Sequence, residues 1–156
     1  MKILISPYSR ALRNSALNPK NYPYWEAVVK GLIDARNEVI QLGVGKEEPI
    51  AGISSTYFNH TLKELKVMLD ECDVWISVDN FFQHFCYLHN KPGIVIFTRS
   101  NPKIFGHPEN VNILKDEKYL REKPFDIWEA CEYDPEAYVD ASVVIEAVND
   151  WRNEHG

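Results

Sequence analysis

Short runs of aliphatic and β-branched residues recur along the chain, and segments with the periodicity of amphipathic helices separate most of them. Each run is bounded by Gly, Pro, Asn or Asp, as is typical of buried strands. Parallel strands need a long crossover, usually a helix, so this alternation predicts a mainly parallel sheet. The predicted strands are residues 2–6, 38–42, 74–78, 93–97 and 111–114.

Four helical stripes fit between or after these strands. They are residues 25–33 with Pro23 in the first turn, a second helix opened by a capping box of Thr61 and Glu64, residues 81–86, and a last helix that starts at Asp134-Pro135 and turns Tyr138, Ala141, Ile145 and Val148 inward. The predicted fold is α/β, a three-layer Rossmann-like sandwich with a doubly wound, mainly parallel sheet in a single domain spanning residues 1–156. Residues 116–131 read as irregular or as a short helix.

Composition excludes several classes of protein. With 156 residues, 45% of them hydrophobic, the chain can bury a core, and its net charge of -6 argues against nucleic-acid binding. No apolar run approaches the roughly 20 residues of a membrane span. The first residues read directly as a strand rather than as a signal peptide, so we expect a cytoplasmic protein. The three cysteines are expected to be reduced and buried.

The carboxyl edge of the predicted sheet collects positive charge. Ligands of doubly wound sheets bind beyond this edge, where the strand order reverses. Residues 7–22 and 98–103 follow two of the strands and contain cations but no acid. Asp79-Asn80 ends another strand and opens a helix, whose first amides can hold a phosphate. Two basic loops and one helix N-terminus on a single edge predict a diphosphate site.

Other readings of single residues stay open at this point. Asp79 is also consistent with a purely structural N-cap residue, and His84 is consistent with a hydrogen-bonded histidine of the core. Cys86 and His89 have a spacing that suits a metal, but no second pair follows, and we expect no metal. The glycine-rich turn of residues 43–48 lacks the third Gly of a dinucleotide fingerprint and the Lys-Ser/Thr of a P-loop.

Residues 73–84 (DVWISVDNFFQH) and 90–102 (NKPGIVIFTRSNP) resemble the nucleotide-binding signature of heptosyltransferase-like glycosyltransferases. That family has a strand, Asp-Thr-Gly, a nearby His, Lys/Arg-Pro, a strand and a Gly-x-Thr-x-Pro loop. Residues 20–25 look like its Lys-x-Trp-Pro, and residues 43–47 like its Gly-Gly-x-Glu. The similarity is collinear over about residues 1–148 and implies the C-terminal, nucleotide-sugar-binding half of a GT-B enzyme.

The resemblance also implies roles for single residues in a site that needs no metal and no cofactor besides the nucleoside-diphosphate sugar. These are Ser15 and Lys20 at the phosphates, Glu47 at the ribose, His60 at the base edge, and Asp79, Asn80 and His84 at the diphosphate-sugar. Arg99 stands in a loop that reads Thr98-Arg99-Ser100 instead of Gly-x-Thr, so its guanidinium would replace amide contacts.

Two departures from the family pattern shape the functional hypotheses. Phe81 stands where the family has a glycine that lets the backbone approach phosphate. The acceptor half of a GT-B enzyme has no room in 156 residues.

The first hypothesis is a protein that binds a nucleotide sugar and transfers the sugar, with inversion, with help from a second subunit of a homo-oligomer or from a partner chain. The alternatives are a non-catalytic nucleotide-binding or sequestering module, and a small nucleoside or nucleotide-sugar hydrolase with Asp79 or Glu47 as the acid/base.

Overall fold

The computed structural model describes residues 1–156 and contains one six-stranded sheet in which every neighbouring pair of strands is parallel. The strand order is β3-β2-β1-β4-β5-β6. The predicted α/β class and doubly wound parallel sheet are therefore confirmed. The strands are β1 (Lys2–Ser6), β2 (Glu38–Gly43), β3 (Ser55–Phe58), β4 (Val74–Val78), β5 (Ile94–Ile96) and β6 (Val111–Ile113).

Five helices and three 3₁₀ turns connect or follow these strands. The 3₁₀ turns span Glu117–Tyr119, Trp128–Ala130 and Pro135–Ala137, within the connection between β6 and the last helix. None of the helices is both long and apolar enough to cross a bilayer. The helices are α1 (Trp25–Asp34), α2 (Leu62–Glu71), α3 (Phe81–Leu88), α4 (Pro102–Phe105) and α5 (Ala141–His155).

The central strands bury both faces, and their side chains alternate between two apolar cores. In β1, Ile3 and Ile5 face the core formed with α1 and α5, whereas Leu4 faces the core formed with α2 and α3. Successive side chains of a strand point to opposite faces, so one run of aliphatic residues serves both cores. Two helices cover each face, which gives the predicted three layers.

Several predicted boundaries need correction. β3 was not predicted, because Ser55 and Thr56 are exposed on an edge strand and carry no apolar signal. The one-turn helix α4 was not predicted either. Pro23 precedes the N-cap Tyr24 and lies outside the first turn of α1. The capping box of Thr61 and Glu64 is confirmed.

The last helix begins later than predicted. Asp134-Pro135 opens only a 3₁₀ turn, and α5 starts at Ala141. Tyr138 is buried as predicted but lies in extended backbone before α5, where its hydroxyl donates to the Pro19 carbonyl at 2.9 Å. The inward face of α5 includes Val148, as predicted, together with Val144 and Trp151. Ala141 packs against the same core as predicted, and the partly buried Ile145 side chain lies beside Gly31 of α1.

The three cysteines are free, and two of them are buried as expected. Burial raises the pKa of the Cys72 and Cys86 thiols, which keeps both protonated. Cys131 differs, because it is only partly covered.

Candidate functional site

The order of strands reverses between β1 and β4, which are hydrogen-bonded neighbours although two strands separate them along the chain. The loops that follow Ser6 and Val78 therefore diverge and leave a crevice between them. A cavity of about 620 Å³ occupies this position. Six of the eight predicted site residues line it: Lys20, Glu47, His60, Asp79, Asn80 and His84.

Asp79 and Lys20 form the charged centre of the cavity. The Asp79 side chain is only 8% exposed, and its Oδ2 lies 3.5 Å from Lys20 Nζ. Gln83 Nε2 donates to Asp79 Oδ1 at 2.7 Å, and Ser100 Oγ donates to Asp79 Oδ2 at 2.9 Å. Both carboxylate oxygens thus have partners within the protein. A buried charge held this way fixes its neighbours, so Asp79 anchors the Lys20 ammonium.

The loop that carries Lys20 is itself held by hydrogen bonds. Lys20 N donates to Asn18 Oδ1 at 3.0 Å. The carbonyl of Pro19 accepts from Thr98 Oγ1 at 2.8 Å and from the hydroxyl of Tyr138 at 2.9 Å. These donors come from the loop after β5 and from the segment before α5, so two distant parts of the chain set the position of Lys20.

Asn80 joins the two strand ends on either side of the crevice. Its Oδ1 accepts from Phe82 N at 2.9 Å and caps α3. Its Nδ2 donates to Ser6 Oγ at 3.0 Å and to the Tyr8 carbonyl at 3.1 Å. The polar atoms of Asn80 are therefore used by the protein, and the residue shapes the crevice.

Phe81 follows as the first residue of α3, where the resembling family has a glycine. Its side chain is 60% exposed and lines the cavity. An aromatic ring at this point limits how closely a phosphate can approach the first amides of the helix.

His84 lies one turn further along α3 and pairs with a second histidine. Its Nδ1 is 2.8 Å from His107 Nε2, and the His107 ring stacks on Tyr87 with centroids 4.0 Å apart. Burial, with a smaller contribution from His107, lowers the pKa of His84. The imidazole of His84 is thus neutral near pH 7, and since Nδ1 is paired with His107, Nε2 is the ring atom left for a ligand.

Glu47 and His60 lie on the β2–β3 side of the cavity. Val44 N donates to Glu47 Oε1 at 2.8 Å, and burial raises the pKa of the Glu47 carboxyl. The His60 ring stacks on Tyr57 with centroids 3.4 Å apart, and its Nδ1 lies 2.6 Å from Glu64 Oε2. This side of the cavity is thus lined by two aromatic rings and a carboxylate.

The structure places Ser15 and Arg99 outside the lining of this cavity. Ser15 is exposed in a turn with a positive φ of 59°. Arg99 Nη1 lies 3.6 Å from Asp134 Oδ2, and Arg99 lines a separate groove of about 470 Å³. The neighbouring side chains explain the direction of Arg99: Thr98 and Ser100 bond inward to Pro19 and Asp79, so the residue between them points outward.

Tyr8 and Trp128 also line the cavity, although neither was predicted as a site residue. Tyr8 lies in the basic loop but is uncharged, so the pattern of cations did not indicate it. Trp128 comes from the segment that reads as irregular and gives no signal of proximity to the strand ends. No group of three or more His, Cys, Asp and Glu side chains in the chain is arranged to hold a metal ion.

No protein-family model and no curated protein matches the sequence. Solved structures, however, match its fold. ADP-heptose LPS heptosyltransferase II of E. coli is 15% identical, with a TM-score of 0.70 over 98% of this chain and 46% of its own. The dodecameric, iron-containing heptosyltransferase TibC of E. coli, in complex with ADP-D-beta-D-heptose, is 12% identical, with a TM-score of 0.73 over 99% of this chain and 46% of its own.

A glycosyl transferase family 9 protein from Veillonella parvula is 16% identical, with a TM-score of 0.71 over 99% of this chain and 46% of its own. The chain thus spans slightly less than half the length of each of these structures. The expected likeness to half of a GT-B glycosyltransferase is confirmed for the fold.

Proposed function

We propose that the cavity binds a nucleoside-diphosphate sugar, with the diphosphate against Lys20. The observation that carries this proposal is the ammonium of Lys20, anchored by Asp79 inside a cavity at the reversal point of the sheet. A charge-assisted hydrogen bond from such a cation is among the stronger contacts a phosphate can receive. The fold supports the same ligand class, since TibC was solved with ADP-D-beta-D-heptose.

The other residues of the cavity receive roles that suit their chemistry. The Glu47 carboxylate suits ribose hydroxyls as an acceptor, and the stacked rings of Tyr57 and His60 suit a nucleobase. The neutral His84 suits the hydroxyl-rich sugar beyond the diphosphate. Asp79 acts by anchoring Lys20, and Asn80 acts by joining the two strand ends that form the crevice. Ser15 and Arg99 have no role in this proposal.

Transfer of the sugar breaks the bond between its anomeric carbon and the diphosphate oxygen and leaves negative charge on the diphosphate. A cation fixed beforehand stabilises that charge without reorganisation. The acceptor hydroxyl must approach the opposite face of the sugar, where its oxygen bonds to the anomeric carbon and its proton passes to a base. We propose that a second copy of the chain or a partner chain supplies the acceptor surface and this base.

Isothermal titration against nucleoside diphosphates and their sugars tests the binding. We expect one class of nucleotide to bind and Lys20→Ala to weaken it by about 1–3 kcal/mol, as for a lost charge-assisted hydrogen bond. Lys30→Ala is the matched control, because Lys30 also pairs with an aspartate but is 77% exposed on α1. No binding at millimolar concentration, or equal losses in the two variants, contradicts the proposal.

The second candidate is binding without transfer, and Phe81 favours it. A ring in place of the glycine at the start of α3 keeps a leaving diphosphate away from the helix amides. Nucleotide binding without sugar release in any acceptor mixture supports this candidate. Turnover by the purified chain alone contradicts it. A hydrolase with Asp79 as the acid/base is not proposed, because both oxygens of Asp79 already accept hydrogen bonds.

A further inference from the structure

One residue of the cavity lining, Trp128, comes from a segment that contributes neither a strand nor a long helix. Residues 114–140 connect β6 to α5, and Trp128 lies in the second 3₁₀ turn of this connection. The turn is too short to hold the indole in place by its own backbone hydrogen bonds.

Arg121 fixes the loop that precedes Trp128. Its Nη2 donates to the carbonyls of Pro124 at 2.9 Å and Asp126 at 2.8 Å, and its Nη1 donates to the carbonyl of Ile127 at 3.3 Å. The backbone N of Arg121 also donates to the Arg99 carbonyl at 3.1 Å, which ties this loop to the loop that follows β5. The loop therefore closes around one guanidinium and positions Trp128 relative to the sheet.

The Trp128 ring contacts two cations. The guanidinium carbon of Arg121 lies 3.6 Å from the ring centroid, and Lys20 Nζ lies 4.9 Å from it. A cation within about 6 Å of an aromatic ring is attracted by the ring quadrupole. The ammonium of Lys20 is thus held by the ring as well as by the Asp79 carboxylate, 3.5 Å away.

These two contacts have different consequences for a ligand. A carboxylate neutralises the ammonium and takes up N–H donors, so it competes with a phosphate for Lys20. An aromatic face attracts the cation but carries no net charge to cancel. Without the ring, Asp79 would be the one remaining partner of the Lys20 ammonium.

We propose that Trp128 is a positioning residue for Lys20: its ring holds the ammonium towards the cavity, where the phosphates of a ligand can reach it. The identity of the ligand rests on the proposed function, whereas the contact between Trp128 and Lys20 does not. The two parts are therefore tested by separate measurements.

The first measurement needs no ligand. Ring currents shield protons that lie over an indole, so the side-chain ε-CH₂ protons of Lys20 are expected upfield of those of the other lysines. Lys20→Arg identifies the resonance, and Trp128→Leu should return it to the ordinary position, whereas Trp128→Phe should keep part of the shift. Trp128→Phe also serves if the leucine variant fails to fold. An ordinary Lys20 resonance in the unmodified chain, or one that Trp128→Leu does not move, overturns the proposal.

The second measurement is a double-mutant cycle with ADP, measured by titration. We expect Trp128→Leu to weaken binding up to about tenfold in the unmodified chain but less than about twofold in the Lys20→Ala background, because the ring acts through Lys20. Equal weakening in both backgrounds means that Trp128 contacts the ligand itself and overturns the positioning role. If no nucleoside diphosphate binds the unmodified chain, the proposed function fails, and the resonance of Lys20 still decides the role of Trp128.

Discussion

The two basic loops at the carboxyl edge of the sheet place their cations in different surroundings. Lys20 enters the central cavity between Asp79 and Trp128, whereas Arg99 turns away to Asp134 and a separate groove. Both loops follow a strand of the same edge and both lack acids. The difference shows that cations in two acid-free loops at one edge need not come together in one cavity. The two cations differ in their partners, since Asp79 is buried whereas Asp134 is partly exposed.

The largest difference is expected between Asp79 and Asp134, in the free energy of unfolding that is lost when each is replaced. Asp79→Asn removes a buried charge that Lys20, Ser100 and Gln83 surround, and we expect a loss of about 3 kcal/mol in the free energy of unfolding. Asp134→Asn breaks a partly exposed pair with Arg99 and keeps an N-cap side chain, so less than about 1 kcal/mol should be lost. Urea denaturation measures both. Similar losses would mean that Asp79 is no more of an anchor than Asp134.

The next largest difference is expected in how much Lys20 and Arg99 each contribute to nucleotide affinity. Lys20→Ala is expected to weaken binding by the 1–3 kcal/mol or so of a lost charge-assisted hydrogen bond, and Arg99→Ala to change it by less than about twofold, because Arg99 lies outside the cavity lining. Parallel titrations with one nucleoside diphosphate make the comparison. A larger effect at Arg99 would move the site to the groove that Arg99 lines.

The smallest expected effect is on the pH dependence of the free energy of unfolding, and it comes from His84 in the cavity lining. The pKa of His84 is lowered in the folded chain, so its protonation favours unfolding. The stability that depends on neutral His84 is present above the ordinary histidine pKa of about 6.5 and is lost as the pH falls below it. The free energy of unfolding should therefore fall less between pH 7.5 and 5 in His84→Gln than in the unmodified chain. Identical pH profiles would contradict the assignment.

The sheet could be predicted from the sequence because buried parallel strands are continuous aliphatic runs, and each helix carries an apolar stripe. The same reasoning failed at β3, where half the residues are polar, and at Asp134-Pro135, where a capping signal opens only one turn. A capping signal such as Asp134-Pro135 indicates where a helical turn begins but not how far the helix continues.

The cavity was predictable in part for a related reason. Parallel topology brings Lys20, Asp79 and Asn80 to one edge whatever their side chains contact. The direction of Arg99 depends on hydrogen bonds made by its two neighbours, and the approach of Trp128 depends on a loop closed around Arg121. Both the direction of Arg99 and the position of Trp128 depend on contacts between residues far apart in the chain, so the spacing of residues in the sequence does not predict them.

We propose that an anionic nucleotide binds at the Lys20 side of the sheet edge. Titration of the ¹⁵N-labelled chain with nucleoside diphosphates, followed by amide chemical shifts, shows where the nucleotide binds. We predict that saturable shifts will concentrate at residues 8–10, 43–47 and 79–82, with residues 120–123 and 130–132 around Arg99 unchanged. Shifts confined to the Arg99 groove, or none at millimolar nucleotide, would contradict the account.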